Sequence, residues 1–210
     1  MVMPRAPIEC VDIAILARAP IPGQAKTRLI PALGESGAAI LQARLIERAV
    51  QTASAVGPVT LWATPDANHV SFTNAAARYG VSLARQPDGD LGQRIFAALG
   101  AAPGPCLTIG TDCPGLTVEH LHACADVLRE GADVVVIPVE DGGYALIGTR
   151  QPQPSLFAGM PWGTDQLMAA TRKRLSQLGL TCREPFRLWD LDMPADLDRL
   201  RREGMDHLLP

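Results

Sequence analysis

The sequence predicts an α/β protein with a mostly parallel central sheet covered by helices on both faces. Three observations predict it. Short apolar runs alternate along the chain with stretches in which apolar residues recur at spacings of three and four. The run 133–139 (DVVVIPV) is strongly β-branched, as expected of a central parallel strand buried on both faces. Loops rich in Pro and Gly come after several of the apolar runs, where an open α/β sheet binds its ligands.

The first element is residues 10–17 (CVDIAILA), an apolar run ended by a Pro/Gly loop, which reads as a buried strand. Residues 35–55 read as a helix, because Ala38, Leu41, Leu45, Ala49 and Ala53 make one stripe that Gly57-Pro58 stops. Next come a strand at 59–63, a helix at 65–79, a strand at 81–84 and a helix at 91–99. The strand at 106–109 runs into Gly-Thr-Asp-Cys-Pro-Gly, and Thr117 is placed to cap a helix over 117–129. After 133–139 come a strand at 143–148, a helix at 164–178 ended by Gly179, a strand at 183–191 and a helix at 195–202. Strand–helix–strand connections of this kind are right-handed.

At 210 residues the chain has the length of a single domain, 1–210, by the rule of roughly 100–200 residues per domain. Its net charge is −3 and no segment is a block of one sign, which speaks against nucleic acid or a membrane surface as partner. The aliphatic run Val134 to Ile137 is far below the ~18 residues of a membrane span, and no secretory leader is evident, so a cytoplasmic protein is expected. Five cysteines without a C-x-x-C and four scattered histidines suggest neither a disulfide framework nor a zinc site. Only Lys26 and Lys173 are lysines among 19 basic residues, which draws attention to Lys26.

The loops at the strand ends are the places to look for function. After the first strand comes Ala17-Arg18-Ala19-Pro20-Ile21-Pro22-Gly23-Gln24-Ala25-Lys26-Thr27-Arg28, neither G-x-G-x-x-G nor a P-loop. Its cations either hold phosphate oxygens or decorate a solvated turn, with Lys26 an exposed loop cation. Asp112 stands on a sharp turn, placed to hold Mg²⁺ or Mn²⁺ or to cap its own turn. In Glu140-Asp141-Gly142-Gly143 the carboxylates suit a polyol, while Asp-Gly equally marks a hairpin. Asp192 is either a second metal ligand or the cap of the last helix. Cations beside several carboxylates suit a metal–diphosphate ligand.

Six segments carry a resemblance: ARAPIPGQAKTRL, QPDGDLGQR, GTDCPGL, EDGGYALIG, WGT and DLDMPADL. In this order, over residues 13–200, they resemble a bacterial family of GT-A-like nucleotide-diphospho-sugar transferases. That family is described as glycosyltransferases of the arsenosugar-biosynthesis type, or as transferases associated with radical-SAM and selenium-domain proteins. More distantly the first segment is similar to the molybdenum-cofactor and 2-phospholactate guanylyltransferases. The resemblance implies a three-layer α/β/α GT-A fold and a metal-dependent transferase with a nucleotide donor and a small-molecule acceptor. It implies nucleotide contacts at Ala17, Arg18, Gly23, Lys26, Gln86, Gly89, Asp90, Gly92 and Asp112, and Mg²⁺ or Mn²⁺ on Asp112 and Asp192. It places sugar or acceptor near Glu140, Asp141, Gly142, Gly143 and Trp162, with Lys26, Arg28 and Asp141 in catalytic roles. Trp162-Gly163-Thr164 is expected beside the site, on a loop that closes over it. One departure is visible: many GT-A glycosyltransferases carry D-x-D at the middle strand, and here Gly110 takes the first Asp position. Glycosyl transfer, nucleotidyl transfer and a catalytically silent nucleotide-binding module are therefore the readings carried forward.

Overall fold

A computed structural model describes residues 10–210. Seven strands form one sheet: β1 (Asp12–Arg18), β2 (Val59–Thr64), β3 (Ser82–Arg85), β4 (Cys106–Ile109), β5 (Val134–Pro138), β6 (Tyr144–Thr149) and β7 (Cys182–Arg183). Their order across the sheet is β3-β2-β1-β4-β6-β5-β7. All neighbouring pairs are parallel except β4–β6 and β5–β6, so β6 is the one antiparallel strand of this sheet. The expected Rossmann-like three-layer architecture is the observed one.

Alternation along the strands builds two apolar layers. Ile13, Ile15 and Ala17 of β1 face α1 (Ile30–Ser54), α2 (Val70–Tyr79) and α4 (Val118–Arg129). Ala14 and, in part, Leu16 face α3 (Leu91–Gly100), α5 (Pro154–Phe157) and α6 (Leu167–Leu178). A third apolar group joins Leu41 and Leu45 of α1 to Trp189 and to Leu197 and Leu200 of α7 (Asp196–Arg202). The C-terminal segment is thereby held against α1.

Several expectations need correction. The strand at 183–191 is only two residues long, with an isolated bridge between Leu188 and Val139 beyond it. Pro185 has no N–H for the ladder, so 184–187 leave it. The β-branched strand β5 is buried on both faces as expected, but it pairs antiparallel with β6 on one side. Helices α2 and α6 begin later than the periodicity suggested, at Val70 and Leu167. Helix α1 starts earlier, yet Gly34 (φ 71°, ψ 167°) breaks its first turn, so the regular part begins at the expected place. Thr117 caps α4 as predicted, in a capping box with His120.

The order reverses direction between β1 and β4, since β1 connects outward to β2 and β3 before the chain returns. The crevice outside the carboxyl ends of these two strands is where such a sheet takes a ligand.

Candidate active site

That crevice is a cleft of about 740 Å³. The segment after β1 contributes Ala17, Arg18, Lys26 and Arg28, and the turn after β4 contributes Thr111 and Asp112. The β5–β6 turn supplies Asp141 and Gly143, and the stretch before α7 supplies Asp190 and Asp192.

Two buried amides fix the strand ends. Gln42 of α1 donates to the Arg18 carbonyl and to Thr111 Oγ1, both at 3.2 Å. Gln86 donates to the Ala17 carbonyl at 3.2 Å and the Trp62 carbonyl at 2.8 Å. Amides whose NH2 groups are tied to two strand ends in this way hold the cleft floor rigid.

The cations and carboxylates of the two expected groups meet as pairs. Lys26 Nζ lies 2.7 Å from Asp112 Oδ1 and donates to the Leu191 carbonyl at 2.5 Å. Arg28 pairs with Asp192. The Leu191 N–H closes the bridge by donating to the Asp112 carbonyl at 2.7 Å. Asp112 and Asp192, 80 positions apart in sequence, thus stand on one rim. Lys26 overturns one expectation. Its side chain is only 4 % exposed, so it is a buried strut and not a solvated loop cation. It also holds a left-handed backbone (φ 48°), uncommon for a residue with a side chain.

Asp190, two residues before Asp192, is half-buried here. Burial and the carboxylates of Asp141, Asp192 and Asp112 push its pKa up to about 6. A carboxyl raised above its ordinary 3.8 binds its proton more tightly in the folded than in the unfolded chain. Its contribution to stability is therefore greatest below about pH 4 and is lost as pH rises through about 6. In buffer containing chelator, Asp190→Asn should stabilise the protein at pH 8 by about 1 kcal/mol after solvent screening. It should also flatten the dependence of the urea midpoint on pH between about 4 and 7. An unchanged slope would refute the carboxylate cluster.

Other predicted residues fall elsewhere. Gly89, Asp90 and Gly92 do not line the cleft. Asp90 caps α3 in a capping box with Gln93. Gly92 leaves room for Trp162, whose ring atom Cζ2 would stand 2.6 Å from a Cβ there. From that motif it is Arg94, not singled out by sequence, that faces the cleft. Gly23 lies beside Glu35 and outside the cleft. Glu140 turns away to Arg199 at 2.8 Å. Asp141 accepts from the Gly143 N–H at 2.8 Å, so the hairpin reading of Asp-Gly-Gly holds alongside its place on the cleft. Trp162 packs edge-on against Tyr144 with ring centres 6.3 Å apart, while Gly163 and Thr164 line the cleft itself. Asp192 does not cap α7; Asp196 accepts from the Asp192 and Met193 N–H groups instead.

No ready-made cluster of three metal-ligating side chains exists among the described residues. A hard cation bound with phosphates needs only one or two carboxylates, the rest of its shell being phosphate and water. Asp112 is half-exposed, and its Oδ2 has no hydrogen bond among the described residues. Asp192 stands beside it and Asp190 adds negative potential, so the donor set fits Mg²⁺ or Mn²⁺.

The family described as "Uncharacterized protein conserved in bacteria (DUF2064)" matches residues 45–164. No curated protein matches the chain. Among solved structures, one from Desulfovibrio desulfuricans G20 bears the provisional name nucleotide-diphospho-sugar transferase. It is 25% identical over 92% of this chain and 87% of its own, with a TM-score of 0.84. CMP:2-keto-3-deoxy-manno-octonic acid synthetase complexed with CTP superimposes with a TM-score of 0.60 at 13% identity, over 95% of this chain and 100% of its own. Glucosyl-3-phosphoglycerate synthase from Mycobacterium tuberculosis, with Mn²⁺ and uridine diphosphate, gives 0.53 at 12% identity, over 95% and 78%. The last two likenesses are of fold.

Proposed function

This chain belongs to the bacterial family DUF2064, and on that footing we propose that it is a metal-dependent transferase that moves a glycosyl group from a sugar nucleotide to a small acceptor. Transferase chemistry is common to its named structural neighbours. The observation that carries the reading is the double pairing of Lys26 with Asp112 and Arg28 with Asp192 on one cleft rim.

Cations and carboxylates that neutralise one another can exchange partners for a ligand holding both charges. A metal–diphosphate is such a ligand: carboxylates meet the metal, and cations meet the phosphates. Arg28 is well exposed and free to turn, and Arg18 stands on the same cleft. Lys26 stays in place and fixes the Asp112 carboxylate. The bound metal would draw charge from the phosphate oxygens. Arg28 opposes the charge that builds on the departing diphosphate as the bond between sugar carbon and phosphate oxygen breaks. Asp141, with one oxygen fixed by its turn, takes the proton of the attacking hydroxyl in an inverting reaction.

Nucleotidyl transfer is the second reading, favoured by Gly110 at the first position of D-x-D. There an acceptor phosphate attacks the α-phosphorus, pyrophosphate leaves, and no protein base is needed. Thermal shift against sugar nucleotides and nucleoside triphosphates, with and without Mg²⁺ or Mn²⁺, tests both. A ligand at 100 times its Kd adds about 2.7 kcal/mol. Sugar nucleotides should stabilise the protein only with metal, and Asp112→Asn should weaken that binding about tenfold. Binding indifferent to metal and to Asp112→Asn would leave a silent module.

A further inference from the structure

The cleft does not end at the charged rim. It continues down the face of the sheet between α3 and the start of α6, where Leu16, Tyr144 and Ile147 of the strands meet Leu91 and Ile95 of α3 and Leu167 of α6. Two polar groups of the recess are buried without a partner. Thr108 of β4 is only 4 % exposed, and its Oγ1 has no hydrogen-bond partner among the described residues. Arg94 of α3 has a buried Nε that is likewise unpartnered, and its guanidinium makes no ion pair among the described residues.

A buried hydroxyl without a partner is destabilising, and so is a buried N–H of a cationic side chain left unpaired. Two such atoms in one recess are unfavourable for the free protein and complementary to an anionic oxygen. They also lie away from the rim. Thr108 lies within β4, whereas Asp112 stands on the turn beyond the end of that strand. Asp112, Asp192, Lys26 and Arg28 account for a metal and a diphosphate at the rim, so a second anionic group is left for Arg94.

We propose that the recess between α3 and α6 is the acceptor subsite, and that Arg94 and Thr108 hold a phosphate or carboxylate oxygen of an acceptor with an otherwise apolar body. The subsite rests on the transferase reading for the word acceptor, but its anion affinity does not.

The test is a titration with inorganic phosphate followed by amide NMR shifts, with and without magnesium pyrophosphate, which fills the donor's phosphate positions whatever the base. Phosphate should bind the wild-type protein and shift residues of α3 and β4. Arg94→Met and Thr108→Val should each weaken it about tenfold, and Arg18→Met should not. Saturating magnesium pyrophosphate should leave phosphate affinity within about twofold, as independent sites require. Arg94→Met should melt no lower than wild type, because it removes an uncompensated buried group; a structural role would lower the melting temperature. Absence of phosphate binding, or indifference to Arg94→Met, overturns the subsite. Displacement of phosphate by magnesium pyrophosphate assigns Arg94 to the donor and overturns the acceptor role. If magnesium pyrophosphate fails to bind while phosphate still depends on Arg94, the transferase reading falls and the anion site stands.

Discussion

Gly142→Ala should lower stability by about 3 kcal/mol or more. Gly142 sits at φ 93°, a backbone that residues with a side chain rarely adopt. A Cβ there would overlap the Asp165 carbonyl, with its carbon at 2.6 Å. Both partners are backbone, and the Gly142 carbonyl also accepts from the Met168 N–H at 2.8 Å, fixing the start of α6 to the β5–β6 turn. Relief therefore requires the turn and the helix to part. Overpacking of this kind costs about 1–3 kcal/mol, with backbone strain added to it. At roughly 2–4 °C per kcal/mol for a chain of this size, calorimetry should record a melting temperature lower by about 6–12 °C. Gly159→Ala is the control: φ is 64°, but nothing lies within 4 Å of the added carbon. It should cost only about 1 kcal/mol. Equal losses for the two would show that Asp165 yields freely.

Lys26→Met should damage both activity and stability. The substitution keeps the buried stem and deletes the ammonium that joins the Asp112 carboxylate to the Leu191 carbonyl. A hydrogen bond to a charged group contributes about 1.5–3 kcal/mol, so a urea midpoint should report a loss of about 2 kcal/mol. On the proposed reading Asp112 then loses its fixed orientation, and kcat/KM should fall by about 100-fold or more. Lys26→Arg should recover part of the loss at most, because a planar fork does not fit where a compact ammonium is enclosed. Lys173→Met, on an exposed face of α6, should change neither quantity. Full stability with reduced activity would mean that Lys26 serves the ligand alone.

Layering and the placement of the cleft were legible because they depend on short-range signals. Alternating strands and helical stripes set which residues face the sheet, and loop chemistry after β1 and β4 marked the cleft. Long-range partners were not legible. Nothing near Lys26 in sequence announces Leu191 or the burial that comes with it. Asp90 and Gly92 sit in a motif that reads as a binding loop, yet one caps a helix and the other makes room for an indole. Arg94, two positions on from Gly92, closes the same motif, and nothing local in the sequence marks it. Its place depends on which face of α3 meets the sheet and on which neighbours lack a counter-charge. The short β7 had a local cause in Pro185, which the apolar run around it masked.

The bonds across the rim also set a timetable. Arg28 and Asp192 are 164 positions apart, and Lys26 and Leu191 are 165. A growing chain that has emerged from the ribosome only as far as α6 already holds the first loop, Asp112 and most of the sheet. It still lacks the second wall of the cleft, and Lys26 has no carbonyl to close on. A loop made early in synthesis thus waits for a segment made late. On the proposed reading, ligand affinity then arrives as a late event of synthesis, after the sheet that supports it is assembled.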